Sequence, residues 1–168
     1  MGLSSKGGEW VIKIFFMWMI SFILSLLGFY LIESKFTIHP AVISGNGNLA
    51  IIIILLFSPV FIASYFYTFK LVRMHLKNSR SIIFPVILLF LSIISCIYLI
   101  GLIADYANEL IIDLGGTPSN PQSRIYRFGW FNQYTNSLFF NNYSFILTQL
   151  LAVIVGVLTI IFKPFLNK

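Results

Sequence analysis

Four uncharged runs of apolar residues divide the chain, at positions 14–32, 49–69, 81–104 and about 143–162. A charged residue closes each of them: Glu33, Lys70, Asp105 and Lys163 in turn. A helix rises ~1.5 Å per residue, so about 20 such residues cross a hydrocarbon core ~30 Å thick. The runs are apolar on both faces, whereas a membrane barrel would alternate polar and apolar positions. The pattern therefore predicts an all-α integral membrane protein. Its expected form is a single four-helix bundle over residues 1–168, with a longer outer loop at 104–142 between the third and fourth helices. Lys6 and Lys13 precede the first run as they would in a signal peptide. That run is long for a signal and has no small-x-small site before Glu33, so it is expected to be a retained anchor.

Lysine and arginine placement predicts the orientation. Lys6, Lys13, Lys70, Arg73, Lys77, Arg80, Lys163 and Lys168 fall on one side, and Lys35, Arg124 and Arg127 on the other. Eight against three puts both termini in the cytoplasm. Four of the five acids (Glu33, Asp105, Glu109 and Asp113) fall outside, so the net charge of +6 is mainly an orientation signal.

Composition then removes whole classes of function. Only 10% of residues are charged, against roughly 25% in ordinary soluble domains, which excludes a soluble enzyme and a disordered tail. The one cysteine, Cys96, permits no intrachain disulfide, no CxxC pair and no thiolate zinc cluster. No Asp, Glu, Lys, Arg or His lies inside the runs, which disfavours proton relays and ion-coupled carriers. His39 and His75 are expected on opposite sides of the membrane, where they share neither a metal nor a proton. GxSxG, HExxH and GxxxxGK[ST] are all missing. An enzyme is not expected, nor a metal or cofactor.

Three features remain as candidate surfaces. Asp105, Glu109 and Asp113 recur every four residues, so a third helix continued past the bilayer carries them on one stripe, and Gly115-Gly116 supplies its stop. The stripe reads either as a carboxylate row for cations or a basic partner, or as the wet face of an amphipathic helix. Beyond it, Arg124, Arg127 and Trp130 stand in a segment dense in aromatics and amides. That segment is expected on the outer leaflet, either as an interfacial anchor or as a sensing surface. On the inner side, Lys70, Arg73, Lys77 and Arg80 are spaced three, four and three. They predict one basic face, for acidic lipid or for a cytoplasmic protein partner; direct nucleic-acid binding is disfavoured for want of base-reading groups. Within the spans, Ser21, Ser25, Ser92, Cys96, Ala152 and Gly156 are expected to mark packing faces, which also suit a homo-oligomer. Gln149 is expected to bond to another helix, and Pro59 and Pro85 to bend theirs.

A short amino-terminal segment, four apolar runs, a basic loop at 70–80, a longer loop at 104–142 and a brief basic tail together resemble the membrane subunit of the Kiwa anti-phage system. The likeness covers most of the chain as architecture and size. It implies a non-enzymatic, self-associating protein of the bacterial inner membrane. Such a subunit detects envelope disturbance during phage attachment and works with a cytoplasmic DNA-binding partner. The expectation is thus a sensor and scaffold subunit. The alternatives are a small oligomeric channel, or an immunity or assembly protein for another membrane complex.

Overall fold

The computed structural model describes residues 3–45, 47–77 and 81–162, with side chains from residue 8 onward. Among these residues the chain is all-helical. The elements are α1 (Leu3–Ser34), α2 (Ala50–Lys77), α3 (Ile83–Asp113), α4 (Arg124–Phe128), α5 (Asn136–Phe139) and α6 (Asn142–Ile161). Four helices are long and apolar enough to cross a membrane: Gly8–Ser34, Ala50–Lys77, Ile83–Asp113 and Asn136–Ile161. The first run lies inside a longer helix, and α2 and α3 run on past the charged residues that close theirs. α2 continues eight residues past position 69, and α3 nine past position 104. Large side chains such as Leu55, Ile62 and Ile97 stay about two-thirds exposed, as lipid-facing residues do.

The two prolines behave differently from each other. α2 runs unbroken through Pro59, which deprives the Leu55 carbonyl of its helical donor. The Ser58 hydroxyl donates to that carbonyl at 2.9 Å and so makes good the loss. Pro85 lies in the first turn of α3, where its missing N–H has no helical partner to lose. The bend expected at Pro85 therefore has no cause.

The chain divides into two compact units. The first gathers the described residues of Met1–Ser25, Pro59–Ile97 and Leu147–Lys168. Its interior holds a hydrogen-bonded chain across three helices. Trp18 Nε1 donates to Thr68 Oγ1 (2.9 Å), and Thr68 Oγ1 donates to Gln149 Oε1 (2.7 Å). Gln149 Nε2 in turn donates to Ser64 Oγ (2.7 Å). Gln149 therefore makes the interhelical bond expected of it, and it makes two. Two turns further on, Gly156 lets α6 approach α2 closely: a Cβ there would stand 3.0 Å from Val72 Cγ1 and 3.3 Å from the Phe69 carbonyl oxygen. Ser21, Ser25, Ser92 and Cys96 are buried and Ala152 is partly so. Ser25 Oγ is fully buried with no hydrogen-bond partner.

The second unit comprises Leu26–Ser58 and Tyr98–Ile146. Phe29 is buried against Phe140 and Phe145, with ring centroids 5.2 and 5.3 Å away. A separate apolar cluster of Leu110, Leu114, Ile125 and Tyr134 joins the end of α3 to the connector that follows it.

These two kinds of buried polar group behave oppositely when removed. Gln149→Leu strands the Thr68 and Ser64 hydroxyls, and is expected to cost about 1–2 kcal/mol. Ser25→Ala deletes a hydroxyl that bonds to nothing, and is expected to be neutral or stabilising. Unfolding midpoints in mixed detergent and SDS micelles measure both. A Gln149→Leu chain as stable as the parent would show that the polar chain carries no weight.

Candidate functional site

The connector between α3 and α6 begins where a helix is made to stop. Gly115 and Gly116 have φ of 87° and 110°, a region that L side chains rarely occupy. Gly116 N–H donates to the Ile111 carbonyl and Gly115 N–H to that of Ile112, so the freed carbonyls of α3 are capped in a Schellman turn. The extension of α3 is amphipathic: Leu110 and Leu114 are buried, while Asp105, Glu109 and Asp113 are all exposed. The expected carboxylate stripe therefore exists, on the wet face of the helix. Among the described residues no three of His, Cys, Asp and Glu are grouped to hold a metal ion.

Side-chain hydrogen bonds then fold the connector. Asn120 Nδ2 donates to the Gly115 carbonyl (2.7 Å), and Arg124 N–H returns to the Leu114 carbonyl (2.9 Å). Ser123 Oγ accepts from Tyr126 N–H and so caps α4, which ends at Gly129 with φ of 73°. Thr135 Oγ1 donates to the Trp130 carbonyl (2.6 Å), and Asn132 Oδ1 accepts from Tyr134 N–H (2.8 Å). At the start of α6, Asn141 Oδ1 accepts from Ser144 N–H while Ser144 Oγ accepts from Asn141 N–H, a reciprocal cap. The Glu33 side chain also accepts from the backbone N–H of Asn142, at the amino terminus of α6.

A second set of bonds ties the connector to residues 36–48. The amides of Asn48 and Asn136 pair reciprocally, each bond 2.8 Å long. Ile38 N–H donates to the Gln133 carbonyl (2.8 Å) and Ser44 N–H to Tyr134 Oη (3.0 Å). Tyr106 Oη donates to Ser137 Oγ at 2.8 Å. Arg124 is held twice: its guanidinium carbon lies 4.5 Å from the Tyr134 ring centroid, and Nη1 donates to the Val42 carbonyl (2.9 Å).

The segment dense in aromatics and amides sorts into two parts. Its amides and hydroxyls (Asn132, Gln133, Thr135, Asn136, Ser137, Asn141) turn inward and are buried, with Tyr134. Four further aromatics turn outward: Tyr126, Phe128, Trp130 and Phe131 are exposed, and Phe131 stacks on Phe139 at 4.9 Å. Arg127 is exposed beside them, whereas Arg124 belongs to the framework. Sequence reasoning named neither Asn48, Tyr106 nor Ser123 as structural. The signals within reach were short-range ones: Ser123 three residues before Tyr126, and Asn141 three before Ser144.

The basic face of α2 lies in the first unit. Lys70 Nζ stands over the rings of Trp10 (4.9 Å) and Phe66 (5.5 Å), and Arg73 over that of Phe69 (5.2 Å). Lys77 is exposed. Arg80 lies outside the described residues. The histidines also separate, His39 into the second unit and His75 into the first.

Comparison with family models, curated proteins and solved structures finds no match for this chain.

The connector is expected to behave as folded protein rather than as an open loop. Limited proteolysis in detergent should leave residues 114–141 intact in the parent chain. In Asn136→Ala, which strands the Asn48 amide, the same segment should be cut at least several-fold faster. Equal rates would remove the amide pair from the framework.

Proposed function

We propose that the chain is a non-enzymatic subunit of the bacterial inner membrane that senses at the exterior and scaffolds a complex at the cytoplasmic face. The observation that carries this reading is the connector. A buried polar framework holds it, and it presents exposed aromatics (Trp130, Phe131), a cation (Arg127) and a row of carboxylates (Asp105, Glu109, Asp113). Rigid aromatic surface with polar neighbours is what recognition sites use, because little side-chain entropy is lost on contact.

The charge distribution supports the orientation. The first unit contains eight of the eleven Lys and Arg residues and one acid, Glu9, whereas the second contains three and four. On the positive-inside rule the carboxyl end of α2, with Lys70, Arg73 and Lys77, faces the cytoplasm and residues 104–142 face the exterior. The exposed Lys77, with Arg80 beyond it, is then the dock for an acidic cytoplasmic protein. In the setting that the family likeness implies, that protein is the DNA-binding partner of an anti-phage pair, the trigger is envelope disturbance and the subunit works as a homo-oligomer.

Two measurements test this reading. In a Cys96→Ala background, a cysteine at Lys77 should react with an impermeant thiol reagent only from the cytoplasm, and one at Phe131 only from outside. The reverse pattern overturns the orientation. Gentle purification from the native membrane should recover one stoichiometric cytoplasmic partner, lost in Lys77→Glu/Arg80→Glu. Recovery of a homo-oligomer alone would favour a channel, and phage protection that survives deletion of the subunit would end the defence role.

A further inference from the structure

α2 and α6 run in the same direction through the first unit, as their contacts show. Ser64 and Thr68 meet Gln149, and Val72 meets Gly156 two turns further along both helices. The two helices also leave an open groove of about 520 Å³, lined by Tyr65, Phe66 and Phe69 of α2 and by Thr148, Leu151 and Val155 of α6. That volume lies within the ~300–1,000 Å³ of sites that hold small ligands. The only polar side chains of the lining, Tyr65 and Thr148, are hydrogen-bonded to each other. Nothing in the groove asks for a polar ligand, so what fits it is hydrocarbon.

Two cations stand at this groove. Lys70 lies over Phe66 and Arg73 over Phe69, and both rings belong to the lining. At ~100° per residue, positions 66, 69, 70 and 73 share one face of α2, with the cations up to a turn closer to its carboxyl end. Stacking on rings holds both charges in place before any ligand arrives. Glu9 is the one carboxylate of the first unit, and it forms no ion pair with them. An apolar slot that ends in two unpaired cations has the chemistry of an anionic phospholipid.

We propose that the α2–α6 groove binds one acyl chain of an anionic phospholipid whose phosphate is held by Lys70 and Arg73. A second copy of the chain is the poorer occupant. Packed through the same face, it would bring another Lys70 and Arg73 against the first pair, with only Glu9 from each copy to offset them. A zwitterionic lipid would bring a cation of its own. The assignment is independent of the sensor reading. It gives Lys70 and Arg73 to lipid and leaves Lys77 and Arg80 for a protein partner.

Native mass spectrometry of the full chain in detergent tests it, with phosphatidylglycerol and phosphatidylcholine of identical acyl chains as the probes. The parent chain should bind phosphatidylglycerol about tenfold more tightly. Lys70→Gln/Arg73→Gln should abolish that preference. Lys13→Gln/Lys77→Gln, which removes the same charge from the same unit, should keep it. Val155→Phe, which places a ring in the groove at a half-exposed position, should weaken binding of both lipids. Equal affinity of the parent chain for the two lipids overturns the proposal without any variant. So does equal loss in the two charge pairs, which would mean diffuse attraction, and so does full binding by Val155→Phe.

Discussion

A polar group in hydrocarbon has no water to turn to, and the arrangement of this chain follows from that constraint. Each unsatisfied group costs several kcal/mol, of order, in an apolar medium. Helices satisfy the backbone locally. The exceptions have to be settled one by one, as when the Ser58 hydroxyl takes over the Leu55 carbonyl that Pro59 leaves free. Side-chain groups are settled between helices. Gln149 meets its needs only if α6 presents it to Ser64 and Thr68, and Thr68 in turn takes the indole N–H of Trp18. One relay thus sets the facing of three helices in the first unit. Gly156 then admits the close approach that these bonds require. Because lipid is as apolar as leucine, bonds and close packing, rather than hydrophobicity, hold such helices together.

The connector solves the same problem with opposite materials. It buries few of its apolar residues, and the small core of Leu110, Leu114, Ile125 and Tyr134 would not hold so long a segment alone. Amides and hydroxyls do the rest by turning inward onto backbone groups and onto each other. A buried polar network is stabilising only when every member is paired, so such a network favours one conformation over all near alternatives. The functional consequence is rigidity. Exposed rings on a fixed frame recognise a partner with little loss of entropy, whereas the same rings on an open loop would have to be ordered first.

The basic residues of α2 share one charge pattern but not one environment. Four cations on a helix face look equivalent in a helical wheel. In the folded chain Lys70 and Arg73 lie on aromatic rings beside an apolar groove, while Lys77, a turn further on, is exposed. A lipid phosphate and an acidic protein surface can then be held on neighbouring turns without competing. An anionic lipid bound there would also anchor α2 at a fixed depth.

Much of this was legible in the residues because the governing physics is local. Apolar runs of about 20 residues become helices wherever they sit, since only a helix satisfies its own backbone in lipid. The stripe of Asp105, Glu109 and Asp113 followed from the 3.6-residue period, and the end of α3 from two adjacent glycines. Gln149 announced its need of a partner by being an amide among apolar neighbours, but which partners it finds was not written near it. They lie 81 and 85 residues away. The same distance hid the pairing of Asn48 with Asn136 and the bond from Arg124 to the Val42 carbonyl, 88 and 82 residues apart. Composition told that amides and aromatics were there. Only the tertiary structure sorted them into frame and surface, because hydrogen bonds between residues far apart in the chain leave no period in its sequence.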